Sequence, residues 1–205
     1  MENEEEARLY SESQHAGSLG PGRSLARMID FSGVDHLLDV AGGTGGLSIR
    51  LCEAHAKMRS TILDFPNVIK LGQEKVAEVG LSDRIDFIGG NALETEWPTD
   101  VGAVLMSYLF NGVPGDAIPG LARHAFDVIR PGGLFVVHDF MVEDDRSGPH
   151  LAALWQLQHL AFTPAAKSIT PSWVSGVLEG SGFTNIQVEV LIPGMTKVVW
   201  GYKPA

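Results

Sequence analysis

A doubly wound α/β fold, with a mostly parallel seven-stranded sheet ending in an antiparallel hairpin, is the architecture this sequence predicts. Three observations carry the expectation. Short apolar runs alternate with helix-forming segments, the pattern of a parallel sheet covered on both faces. The first run, His36-Leu37-Leu38-Asp39-Val40, passes directly into Ala41-Gly42-Gly43-Thr44-Gly45-Gly46 and then a helix. The last two runs are joined only by Pro193-Gly194-Met195, too short for a crossover, so they must pair antiparallel.

Taken in order, a helix over 10–30 leads to a strand over 36–40 and a helix over 45–56. Ser60-Thr61-Ile62-Leu63-Asp64-Phe65 predicts the second strand, followed by a helix over 67–79 that Gly80 stops. Strands follow over 84–89, 103–110 and 134–140, with a helix over 116–129 between the last two. Helices over 150–162 and 171–180 precede the final strands over 185–192 and 196–203. Thr170-Pro171 supplies an N-cap and a proline at the first helical position of the second of these helices. The Glu-rich start, Met1 to Ala7, is a solvated helix start or a frayed end.

The turn after the first strand carries chemistry. Its glycines let the backbone come close to a ligand and let the helix pack tightly on the strand. Asp64 ends the second strand about 20 residues further on, where a doubly wound fold holds a ribose. Two acids at neighbouring strand ends point to a nucleoside-containing cofactor. A dinucleotide would set its pyrophosphate on the helix N-terminus and close the run with a third small residue, a place held here by Ser48. Asp39 would repel a pyrophosphate, but suits the ammonium and sulfonium of S-adenosylmethionine (SAM). Glycines serving only a tight turn would leave both acids unexplained.

Composition sets outer bounds. With 44% hydrophobic residues the chain can bury a full core, and a net charge of −10 disfavours nucleic acid or anionic membrane as a partner. The lone Cys52 excludes an internal disulfide framework, so a cytoplasmic setting is expected. No apolar run reaches the roughly 18 residues of a membrane span, and the acidic start is no signal peptide. No metal site is expected, since Asp144-Asp145 has no partners at ligand spacing.

Asp39-Val40-Ala41-Gly42-Gly43-Thr44-Gly45 resembles the glycine motif of class I SAM-dependent methyltransferases. More narrowly, the chain from about Tyr10 onward resembles the catalytic domain of plant-type small-molecule O-methyltransferases. Asp30-Phe31-Ser32-Gly33-Val34, Asp64-Phe65-Pro66-Asn67-Val68, Arg84-Ile85-Asp86-Phe87-Ile88-Gly89-Gly90-Asn91 and Arg130-Pro131-Gly132-Gly133 share in that likeness. It implies a Rossmann-like fold, SAM as cofactor and S-adenosylhomocysteine (SAH) as product. Residues 1–30 would form a helical segment lining the site, and 31–205 the catalytic domain. The family's N-terminal winged-helix dimerisation domain has no counterpart before Tyr10, and with it the intact protein would be a homodimer. The resemblance places Ser18, Asp39, Gly42, Gly43, Gly45, Asp64, Phe65, Asn91, Ala92, Ser107 and Tyr108 around the cofactor. Asn91 stands where the family has an Asp that accepts from the adenine amino group, a bond an amide oxygen can also accept.

The resemblance breaks at the base. The family's catalytic His falls on Asn111, and Asp139 falls on the carboxylate that orients it. Asn cannot act as a general base, whereas an alcohol or phenol usually needs proton removal as it attacks. A thioether has no proton to lose. The lost base, together with Tyr10-Ser11-Glu12-Ser13-Gln14-His15-Ala16-Gly17-Ser18, is similar to bacterial S-methyltransferases acting on 4-methylthio-2-hydroxybutyrate in dimethylsulfoniopropionate synthesis. S-methylation of a small thioether hydroxy acid is therefore the leading expectation. Two alternatives stay open: an O-methyltransferase of a small hydroxylated or phenolic metabolite, with His138 as a relocated base, and an inactive SAM-binding module. Tyr10, Gln14, His138, Trp155 and His159 are the candidate substrate contacts. Trp155, Tyr108 and Phe140 would offer ring faces to a sulfonium, and Leu151, Trp155 and His159 would share one helical face.

Overall fold

The structure, a computed structural model, describes residues 4–205, apart from the side chains of residues 4–7 and 10. The Glu-rich side chains at the start of the chain and the Tyr10 ring, expected in the substrate cavity, lie outside the described residues. The chain divides into two compact units after Glu96. The mostly parallel seven-stranded sheet with an antiparallel C-terminal hairpin is borne out.

The first unit contains α1 (Glu4–Met28), β1 (His36–Val40), α2 (Gly46–Ala54), β2 (Arg59–Asp64), α3 (Pro66–Glu78) and β3 (Ile85–Gly89). Its strands are parallel in the order β3-β2-β1. Leu37, Leu38, Val40, Ile62 and Leu63 are fully buried, as continuous apolar runs in an interior parallel sheet should be. The register pairs Asp39 with Ile62 and Asp64 with Gly89, so both acids lie at or near strand ends. Helix α1 starts six residues earlier than predicted and continues through Pro21, which has no N–H to give the preceding turn. A Cβ on its Gly22 would lie 2.9 Å from Arg50 Cβ and 3.1 Å from Leu47 Cα. The missing side chain lets α1 and α2 approach closely. At the end of α3, Gly80 takes φ +71°, the left-handed stop the sequence predicts.

The second unit contains β4 (Val101–Ser107), α4 (Ile118–Val128), β5 (Ile129–Asp139), α5 (His150–Phe162), α6 (Pro171–Gly180), β6 (Thr184–Ile192) and β7 (Thr196–Tyr202). Its strand order is β4-β5-β7-β6, with β4 and β5 parallel and both pairings of β7 antiparallel. The hairpin's return strand thus lies between β5 and β6. Helix α4 buries Ile118, Leu121, Ala122, Ala125 and Val128, a stripe at helical spacing. Helices α5 and α6 have the predicted bounds, and Thr170 caps α6 by accepting from Trp173 N–H at 3.3 Å. Strand β4 stops three residues short of the expectation because Tyr108 turns to φ +59°. Strand β5 begins at Ile129 rather than 134, with Gly132 at φ +76° taking up the irregularity. No described helix is long and apolar enough to cross a membrane.

Candidate active site

In the first unit, the glycine turn is built around Asp39. This carboxyl is fully buried, and its Oδ2 accepts from Ser48 Oγ at 2.6 Å. The Ser48 hydroxyl also lies 2.8 Å from Ser60 Oγ. Asp39 Oδ1 is buried with no partner among the described residues. A Cβ on Gly42 would stand 2.5 Å from Asp39 Cγ and within 2.9 Å of both oxygens, so only glycine fits over that carboxyl. Gly45 takes φ +81°, and a Cβ there would meet Ile62 Cδ1 at 2.6 Å. Burial, with a smaller contribution from Asp64, pushes Asp39 up to about 7 despite the Ser48 bond.

Asp64 binds the turn from the next strand. Its Oδ2 accepts from Gly43 N–H and its Oδ1 from Phe65 N–H, each at 2.7 Å. Burial raises its pKa against the pull of those two bonds. Phe65 stays 54% exposed, leaving a ring face open beside Asp64. The Asn91 side chain is partly committed, because its Oδ1 accepts from Leu93 N–H at 3.1 Å, and half-buried Ala92 lies inside that turn. Ser18 donates to His15 O at 2.8 Å and packs on Gly46, at the start of α2. Gln14 is half-buried. His15, which sequence reasoning passed over as a site residue, places Nδ1 2.8 Å from Thr44 Oγ1 in the glycine turn.

In the second unit, a separate cluster forms around the ends of β4 and β5. Asn111 is 1% exposed. Its Nδ2 donates to Asp139 Oδ1 at 2.6 Å and to Phe140 O at 2.9 Å, and its backbone N–H reaches Asp139 Oδ2 at 3.2 Å. Both neighbours of Nδ2 are acceptors, which fixes the amide orientation and leaves Oδ1 buried without a partner among the described residues. Burial pushes Asp139 up to about 7 against these bonds and the one from Phe140 N–H. Gln156, another residue the sequence reading missed, donates to Phe140 O at 2.7 Å and to Ile169 O at 3.0 Å. Gln158 and His159 stand beside it in the same Leu-rich helix, so composition alone did not single it out.

His138 is fully buried, with Nδ1 2.8 Å from Ser107 Oγ and Nε2 unpartnered among the described residues. Burial pushes it down to about 3. The ring is therefore neutral at physiological pH and only weakly basic, which weighs against the expected relocated base, while its unpartnered Nε2 remains open to a substrate contact. The expected aromatic group does assemble. Phe140 stacks on Trp155 at 4.4 Å, Tyr108 lies 5.4 Å from Phe140 and 4.6 Å from His138, and His159 lies 5.4 Å from Trp155. Leu151, one turn ahead of Trp155 on the same face of α5, is 53% exposed.

Comparison with known proteins decides the family. The O-methyltransferase domain model matches residues 1–184. The chain belongs to the O-methyltransferase domain family. It is 31% identical over 182 residues to 3-hydroxy-5-methyl-1-naphthoate 3-O-methyltransferase of Streptomyces sahachiroi, covering 88% of this chain and 52% of that one. It is 32% identical over 151 residues to L-tyrosine C(3)-methyltransferase of Streptomyces lavendulae, covering 74% and 41%. The chain thus spans about half the length of the curated relatives it matches. Human N-acetylserotonin methyltransferase, solved with SAM, shares the fold at TM-score 0.86 and 20% identity, over 99% of this chain and 57% of that one. An O-methyltransferase-like protein from Nostoc punctiforme does so at TM-score 0.89 and 22% identity, over 95% and 59%. By name, the two curated relatives transfer to oxygen and carbon; neither is an S-methyltransferase, and the expected S-methylating branch gains no support.

The first unit of this O-methyltransferase domain fits the family's cofactor, SAM. An ammonium group would complete the unpartnered Asp39 Oδ1. Gly42 keeps open the space over that carboxyl, and Asp64 has oxygen lone pairs beyond its two backbone bonds. Ser48, at the place of a dinucleotide motif's third small residue, is the residue that orients Asp39.

Proposed function

We propose that the protein is a SAM-dependent methyltransferase acting on a small hydroxylated or phenolic metabolite. The observation that carries the choice of acceptor is Asn111 Oδ1, a buried acceptor with a fixed orientation and no partner among the described residues. A hydroxyl can donate to it, whereas a thioether has nothing to give. The cost of leaving such an oxygen unmatched is about 1–3 kcal/mol, enough to favour the hydroxyl. The hydroxylated aromatic named for the naphthoate enzyme supports the same class.

In this reading SAM supplies an electrophilic methyl group on sulfur. Asp39 binds its ammonium, Asp64 its ribose hydroxyls, and Phe65, Asn91 and Ala92 its adenine side. Ser18, Gln14 and Tyr10 belong to α1, while Ser107 ends β4 and Tyr108 follows it. Asn111 orients the acceptor hydroxyl, and Asp139 holds Asn111. Asn111 cannot take the proton and burial works against His138 taking it, so the acceptor binds as the hydroxyl and its proton passes to water as it attacks. Phenols suit this better than alkyl alcohols, whose protons leave far less readily. We also infer a homodimer in a cytoplasmic setting, with the exposed Leu154, Leu157 and Phe162 of α5 as part of the surface against a second copy. Incubating the intact protein with methyl-labelled SAM and panels of phenols, alcohols, thiols and thioethers tests the acceptor class. A labelled methyl ether with one SAH per transfer is expected. A sulfonium product, or SAH-site binding with no transfer, would return the chain to S-methylation or to a binding module.

A further inference from the structure

The second unit buries several side-chain polar atoms without a partner among the described residues. Beside Asn111 Oδ1, the indole Nε1 of Trp155 is buried without a partner among the described residues. The two atoms differ in kind. Indole N–H can only donate, and the Asn111 oxygen can only accept while its Nδ2 is held by Asp139 and Phe140 O. Both belong to residues lying against Phe140: Asn111 bonds its carbonyl and Trp155 stacks on its ring at 4.4 Å, 18° from parallel. Tyr108, 6.3 Å from Trp155, adds a third ring. A buried indole N–H usually finds a partner. Here the donor and the acceptor are both held in reserve.

Resting on the methyltransferase reading, we propose that Asn111 Oδ1 and Trp155 Nε1 form a donor–acceptor pair that selects a planar hydroxyarene with an oxygen acceptor, a carbonyl or carboxylate, next to the reacting hydroxyl. The hydroxyl donates to Asn111 Oδ1, and the adjacent oxygen accepts from Trp155 Nε1–H. The flat ring lies among Phe140, Trp155 and Tyr108. Gln156 is a positioning residue in this arrangement. It donates to Phe140 O, the carbonyl that also takes Asn111 Nδ2, and is itself held by Ser168 Oγ–H donating to its Oε1 at 2.5 Å.

Binding to the SAH complex of the intact protein, read by calorimetry, tests the pair with 2-hydroxyacetophenone, phenol and 2-methoxyacetophenone as probes. Wild type should bind 2-hydroxyacetophenone more tightly than either of the others. Trp155→Phe keeps the stacked ring and removes only the N–H. It should weaken 2-hydroxyacetophenone by about tenfold and leave phenol unchanged. Gln156→Leu should weaken both hydroxylated probes, and Gln156→Glu, which can donate to Phe140 O only when protonated, should recover part of the loss only at low pH. Equal loss of both hydroxylated probes in Trp155→Phe, or no preference in wild type, overturns the pair. Methyl transfer to phenols without that preference would overturn the pair alone. Failure of every phenol to accept methyl would overturn the hydroxyl-acceptor reading, and failure of every probe to bind would overturn the pair.

Discussion

Asn111 donates to Asp139 Oδ1 at 2.6 Å from a position where neither side chain meets solvent. The amide anchors a carboxyl whose pKa burial pushes up to about 7. Asn111→Ala would remove that donor and leave the carboxyl under-satisfied, at a cost of about 1–3 kcal/mol in stability. The bond favours the ionised carboxylate, so the loss should be larger at pH 8 than at pH 5. Denaturant unfolding of both proteins at the two pH values checks this. An equal loss at both would mean that the bond does not serve the carboxylate.

Gly42 and Gly43 are adjacent, but they are glycines for different reasons. A Cβ on Gly42 collides with the Asp39 carboxyl, while one on Gly43 meets nothing within 4 Å and suffers only from φ +61°. Gly42→Ala should therefore reduce SAH affinity by at least about tenfold, since overpacking shifts Asp39 itself and typically costs about 1–3 kcal/mol. Gly43→Ala should cost about 1–2 kcal/mol of stability through its backbone and less in affinity. Calorimetry and thermal melts of both variants separate the two effects.

Cofactor binding should be linked to pH through Asp39. Free, its pKa is raised to about 7; beside an ammonium it must fall. Binding then releases a proton near pH 6.5, and SAH affinity weakens as pH falls below about 7. Calorimetry in two buffers of different ionisation heat measures that proton directly. Asp39→Asn should abolish the release and cost about 1.5–3 kcal/mol of affinity, the worth of a hydrogen bond to a charged group. Proton-neutral binding by wild type would place the ammonium elsewhere.

His138 should not titrate between pH 5 and 9, because burial holds it at about 3. Its ring signals, followed by NMR across that range, should stay fixed. A midpoint between 6 and 7 would restore it as a base candidate.

Much of the first unit was legible in the sequence because its signals are local. Apolar strands end at Asp39 and Asp64, and glycines fill the turn between β1 and α2, so the carboxylates and the left-handed Gly43 and Gly45 fall where expected. What stayed hidden depends on packing between distant segments. His15 meets Thr44 across 29 positions, and Gln156 reaches Phe140 O across 16. The sequence extends β4 through Tyr108 because aromatic and apolar residues continue, whereas the backbone turns at Tyr108 to seat its ring on His138 and Phe140. The absence of a catalytic His was read as loss of any need for a proton to leave. The sequence could not show that Asn111 keeps a buried oxygen ready for a donor.

The most direct test of an acceptor hydroxyl held by Asn111 without an enzyme base is single-turnover methyl transfer, measured against pH for phenols of graded acidity. The rate should rise with pH along a midpoint that moves with each phenol's own pKa. In Asn111→His a new limb should appear that is the same for every phenol, because a histidine beside Asp139 can take the proton itself, a contribution worth roughly 10²–10⁴ in rate. A wild-type midpoint that stays fixed whatever the phenol would reveal a base on the enzyme and contradict the account.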